Sequence, residues 1–289
     1  MIDVNPGRTL AFGLRLNVHL SRSYNLEGRP SSARVCTRHA TSDLLIPQSG
    51  RIDVSISSLE MSSHAPAKDI YDVIRREQDA LAAETRIANC PPYVAVNNLD
   101  DVLRTPTMLR VKHPALCREL SGSKGVAYIV DCPSLDSTAL WVGTDNDKYR
   151  DDYRTFLNAV YRLNLTGIPK PYDVDHLYNR ARGQNYKLQF LRVALVSHSV
   201  NRSHGAGPEK DVTTNEALRD SRGRPKLMDE IASMKYWGFL PPLRDDPRDS
   251  EISAYATFAA AKLGLDPKQV RESVVYLRDK ASTPWAAKP

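Results

Sequence analysis

The sequence predicts an α+β protein: a β-rich N-terminal segment over residues 1–66, a mixed α/β region over 67–166, and a part over 167–289 that closes in helices. Three observations carry this. Leu10, Phe12, Leu14, Leu16, Val18 and Leu20 alternate with smaller or polar residues, the period of a half-buried strand. Ile70, Val73, Ile74, Leu81 and Ile87 recur at helical spacing with charges between them. Near the end, Leu227, Met228, Ile231 and Met234, then Ile252, Tyr255, Phe258 and Ala259, then Val270, Val274 and Leu277 form three apolar helical stripes.

Taken in order, the long strand at 10–20 carries His19 on its solvent face. A polar stretch from Ser21 to Ser42 leads to a hairpin, with Leu44–Ile46 and Ile52–Ile56 joined by the turn Pro47-Gln48-Ser49-Gly50. After a linker over 57–68, Asp69 is placed to cap a helix that Cys90-Pro91-Pro92 ends. Short pieces follow: a strand at Tyr93–Val96, a small helix near Leu99–Leu103, and strands at Val126–Val130 and Ala139–Val142. Asp145, Asp147, Asp151 and Asp152 precede or open a helix over about 148–163. No EF-hand glycine or terminal glutamate accompanies them, so they read as capping and dipole compensation. The break Gly167–Pro171 then delivers the chain into a strand at Tyr172–Asp175, a basic polar loop at 179–187 and a second strand at Phe190–Val196. Helices are expected at 226–236, 251–263 and 267–280.

Composition bounds the function. A chain of 289 residues that is 41% hydrophobic can bury a core, and a net charge of +6 favours a polyanionic partner. The four cysteines, Cys36, Cys90, Cys117 and Cys132, form no C-x-x-C pair, which excludes a zinc ribbon and a thioredoxin motif. No stretch reaches transmembrane length, and the first residues lack the continuous apolar run of a cleavable signal peptide. The expected site of action is therefore reducing and cytoplasmic, away from membranes, with signal-independent export left open.

Chemistry concentrates in Pro171–Lys210, which holds three of the seven histidines: His176, His198 and His204. One end reads Asp173-Val174-Asp175-His176 and the other Asn201-Arg202-Ser203-His204-Gly205. A carboxylate beside a histidine joins a hard oxygen ligand to a titratable base, the pairing that metal-assisted hydrolysis uses. Over this window the chain resembles the HNH, or ββα-metal, nuclease superfamily, and DVDH is similar to the HNH domain of RNA-guided nucleases. Two features differ. Arg192 or a neighbour falls where many members carry a loop-pinning asparagine, and His198 and Val200 fall where many carry zinc-binding cysteines.

The resemblance implies a metal-dependent endonuclease that hydrolyses phosphodiester bonds, with DNA favoured over RNA. It implies His176 as general base, Asp175 and Asn201 as ligands of one divalent ion, Mg2+ or Mn2+, and His204 as a further ligand or phosphate contact. Asp173 then supports a ligand or ends the strand, and His198 packs or hydrogen bonds. Arg180, Arg182 and Arg202 are candidate phosphate clamps, joined by Arg222 and Arg224 in a basic loop suited to phosphate or to solvent. Compact HNH modules with unrelated N-terminal regions also resemble bacterial toxins, effectors and defence nucleases, which brings in an inhibitor or immunity protein as partner. Two other readings compete: a degenerate HNH-like module that binds nucleic acid without cutting it, and a protein-interaction module in which the window is scaffold.

Overall fold

Strand β6, Phe190–Ser197, organises the architecture because it is paired along both edges. The computed structural model describes residues 65–105, 107–111, 115–206, 224–242 and 250–282, all within one unit spanning 58–289. The strand expected at 10–20, the hairpin at 44–56, His19, Cys36 and Arg222 lie outside the described residues.

Helix α1, Ile70–Ala88, starts where Asp69 accepts a hydrogen bond from the Asp72 backbone N–H, and ends at Asn89 in the left-handed region. It leads into β1, Tyr93–Val96, and the short α2, Asp100–Leu103. Next come β2, Leu116–Glu119, β3, Ala127–Cys132, and β4, Ser137–Gly143, then helix α3, Tyr149–Tyr161. Asp145 and Asp147 precede α3, and Asp151 and Asp152 occupy its first turn. The side chain that fastens the turn is Asn146, which accepts from the Lys148 N–H and donates to Asp152.

Strand β5, Tyr172–His176, lies antiparallel to β6, with Asp173 opposite Val196 and His176 opposite Val193. On its other edge β6 pairs with β4, and β1 pairs with β6 at Leu191 and Phe190, beyond the end of β5. Between β5 and β6 the segment expected as a loop forms a short helix, α4, Arg180–Asn185, because Asn179 caps the Arg182 N–H. Helix α5, His198–Ala206, follows β6 with no intervening residue.

The helix expected over 226–236 divides in two. Lys226–Leu227 forms β7, paired with β1, and Asp229 then caps α6, Glu230–Tyr236. Tertiary pairing overrides helical propensity here. Helix α7, Ser250–Phe258, continues as a π turn through Leu263, and α8 spans Pro267–Ser282. The observed architecture is α+β. No domain boundary separates 67–166 from 167–289, since β1 and β4 from the first segment both pair with β6 from the second.

Two layers cover the sheet around β6. On one face Val174, Val193 and Leu195 pack against Tyr153, Phe156 and Leu157 of α3. On the other, Ala194 and Val196 meet Met228 and Tyr236. Arg192 sits within this apolar strand because Glu84 of α1 receives it at 2.9 Å, with the two side chains 9% and 6% exposed.

Candidate functional site

Strand alternation decides which motif residues meet. Successive side chains of β5 point to opposite faces, so Asp173 and Asp175 share one and Val174 and His176 the other. The aspartate face is the one that carries α5 and α6.

At the junction of β6 and α5, the Asp173 carboxylate accepts from His198 Nδ1 at 2.9 and 3.0 Å, and from Asn201 Nδ2 at 3.1 Å. Asn201 reaches it because it stands one turn into α5, above His198. Burial pushes the Asp173 carboxyl up, but the His198 and Asn201 hydrogen bonds, with Arg150 nearby, bring it below the usual range. His198 is 41% exposed and Asp173 27% exposed, so water reaches the cluster. With Nδ1 held by a carboxylate, Nε2 is the imidazole atom left for proton exchange.

Asp175 has a different partner. Its Oδ2 lies 2.5 Å from Lys235 Nζ, contributed by α6, with Lys235 1% and Asp175 22% exposed. In sequence, Lys235 is marked only as one charge between Met234 and Tyr236 in an apolar stripe.

The expected base, His176, lies apart from this face. It is buried against Tyr149, ring centroids 4.3 Å apart, and its Nε2 has no hydrogen-bond partner among the described residues. Burial lowers its pKa to about 4; Asp175 opposes this, while Arg180, Lys235 and Arg150 reinforce it. His204, expected as a further ligand or phosphate contact, is packed inside instead. It is fully buried, and its ring bonds the Phe239 carbonyl at 3.0 Å, fastening α5 to the segment after α6. Burial also brings its pKa to about 4.

The expected phosphate clamps separate too. Arg182 is engaged, bonded to Asp229 at 3.3 Å and lying over the Tyr178 ring, with 18% of its side chain exposed. Arg180 donates through Nε to the Thr144 carbonyl. Arg202, beside Asn201, and Arg224 are exposed.

Among the described residues no group of three or more histidine, cysteine, aspartate or glutamate side chains is disposed to hold a metal ion. Asp173 offers carboxylate oxygens of the kind a hard divalent ion takes, but Asn201 faces it with its amide nitrogen, so Asn201 would have to turn its amide to add an oxygen; Asp175 is paired with an ammonium. The structure thus joins Asn201 to Asp173 rather than to Asp175. No helix among the described residues is long and apolar enough to cross a membrane. Comparison with protein-family models, curated proteins and solved structures gave no match.

Proposed function

We propose that β5, β6 and α5 form a ββα-metal, HNH-like centre that hydrolyses phosphodiester bonds in nucleic acid, DNA before RNA. The observation that carries this reading is the meeting of the two motif ends, Asn201 Nδ2 and His198 Nδ1 on the Asp173 carboxylate. Asp173, with Asn201 once its amide turns Oδ1 toward the ion, would hold one Mg2+ or Mn2+. When bound, such an ion relieves charge on the scissile phosphate and the leaving oxygen.

The chain's own groups do the rest. His198 Nε2 takes the proton of the attacking water, and Asp173 fixes the ring through Nδ1. Arg202, one residue beyond Asn201 and exposed, meets a flanking phosphate, and the net charge of +6 draws the polyanion in. In this reading His176 supports the site from the opposite face by packing on Tyr149.

A second reading, a binding module without cleavage, is favoured by the Lys235 ammonium at Asp175. Nicking of supercoiled plasmid and cleavage of single-stranded DNA and RNA, with Mg2+ or Mn2+ and with chelator, decide between them. His198→Ala is expected to lower the cutting rate by about 10²–10⁴-fold, the usual worth of a positioned base, while His176→Phe retains it. If His198→Ala cuts at the parental rate and His176→Phe does not, the base assignment is wrong. A parent that cuts nothing leaves the binding module.

A further inference from the structure

Helix α6 carries one charged side chain into an apolar layer. Met234, Lys235 and Tyr236 are all buried, and the Lys235 ammonium is 1% exposed where it meets Asp175 Oδ2 at 2.5 Å. The pair is lopsided: the cation is shut away from water, while Asp175 keeps 22% exposure on the face it shares with Asp173. An ammonium is buried without a large penalty only where a carboxylate compensates it, so this contact is part of how α6 docks.

An ammonium and a divalent ion at one carboxylate compete for the same negative charge, and two cations a few ångströms apart repel. Asp175 therefore meets an incoming metal with its charge already answered. Asp173, two residues away on the same strand face, has an imidazole and an amide as its hydrogen-bond partners. This asymmetry between two aspartates of one motif departs from the HNH pattern, in which Asp175 is the ligand.

We propose that Lys235 is the resident counter-cation of this site, holding Asp175 out of metal coordination and leaving ion binding to Asp173 and Asn201. The assignment of ligands rests on the function proposed above; the competition between Lys235 and a divalent ion at Asp175 does not.

The test reads Mn2+ binding directly, by loss of the free-ion electron paramagnetic resonance signal on the full chain. Lys235→Met frees the Asp175 carboxylate, which its exposure allows water to solvate. Mn2+ binding is expected to tighten by about tenfold or more as a charged oxygen ligand is added. That gain should vanish in Asp175→Asn/Lys235→Met, and Asp173→Asn should weaken binding to the parent. Lys235→Gln provides a second uncharged variant if the methionine variant does not fold. A parent that binds no Mn2+ while Lys235→Met binds it overturns the assignment of Asp173 and Asn201 as ligands and supports the competition at Asp175. The proposal is overturned if both uncharged variants bind Mn2+ no tighter than the parent, or if the gain persists without Asp175. Nicking activity is scored separately: the expected binding pattern without cutting sinks the nuclease reading and leaves the Lys235 assignment intact.

Discussion

Arg192 offers the most demanding test of how the site is supported. Its guanidinium crosses from β6 to Glu84 of α1 at 2.9 Å, and both side chains are nearly sealed from solvent. Breaking such a pair from one side leaves an uncompensated buried charge, which costs about 3–5 kcal/mol. The two sides are unequal here. Glu77, which burial keeps protonated up to about pH 7, can ionise to face the guanidinium that Glu84→Met strands, whereas Arg192→Met leaves Glu84 without its guanidinium partner. Arg192→Met should fall near the upper end of that ~3–5 kcal/mol range and Glu84→Met near the lower. A void of about 10 Å³ lined by Glu77, Leu177, Arg192 and Tyr236 borders the guanidinium, room for about one water. Arg192→Met/Glu84→Met removes both charges and should lie within about 1 kcal/mol of the parent, a coupling of several kcal/mol. Urea unfolding read by fluorescence and circular dichroism measures all four proteins. If the double variant costs the sum of the singles, the pair is not coupled and this account of β6 fails.

Proton linkage gives a second stability test. Burial, opposed by the Tyr153 hydrogen bond and the Arg192 charge, raises the Glu77 pKa from 4.5 to about 7, so the folded protein holds a proton there that the unfolded chain has lost. Glu77 thus contributes stability below its unfolded pKa that fades as pH rises through the folded value. Glu77→Gln should make the slope of stability against pH more positive than the parent's by about 1.4 kcal/mol per unit between those values. His204 acts oppositely: depressed to about 4, it contributes stability above pH 6.5 that is lost as pH falls towards the folded value. His204→Gln should flatten the acid limb, checked by denaturant titration at stepped pH. For nucleic-acid binding, Arg202→Glu and Arg224→Glu should each reduce the salt dependence of affinity by about one counterion, read by fluorescence anisotropy. Arg182→Met should instead lower stability and leave that slope unchanged, because Asp229 and the Tyr178 ring occupy its side chain.

Much of this arrangement is legible in the sequence, and what is missing has a common cause. The Ile70, Val73 and Leu81 spacing with its Asp69 cap gives α1, and β5 and β6 fall close to their expected places, since each rests on local period or capping. Edge strand β2 leaves no sequence signal because three of its four residues are exposed and so carry no apolar alternation. Lys226–Leu227 reads as helix until β1 offers backbone partners. Arg192 stands as a charge inside the apolar run of β6, and an acid receives it. That the acid is Glu84, more than a hundred residues earlier, is a fact of packing alone. Lys235 stands as the same kind of charge in α6, and its partner is equally unreadable.

The motif itself shows why spacing cannot choose among its residues. Asp175 and His176 are adjacent, and in a regular strand adjacent side chains never share a face. For both to serve one ion the ladder must break beside them, by a bulge or by ending early. Here it continues: His176 pairs with Val193, and the Leu177 N–H donates to the Arg192 carbonyl at 2.9 Å. The regular ladder commits His176 to the α3 side, where Tyr149 covers it, and keeps both aspartates on the side of α5. Which aspartate meets Asn201 then depends on where α5 begins. Because α5 starts directly after Ser197, opposite Tyr172, its first turn stands over Asp173 and brings His198 with it. The imidazole of the cluster thus comes from the helix end of the window, while Asp175 is left to the cation that α6 supplies.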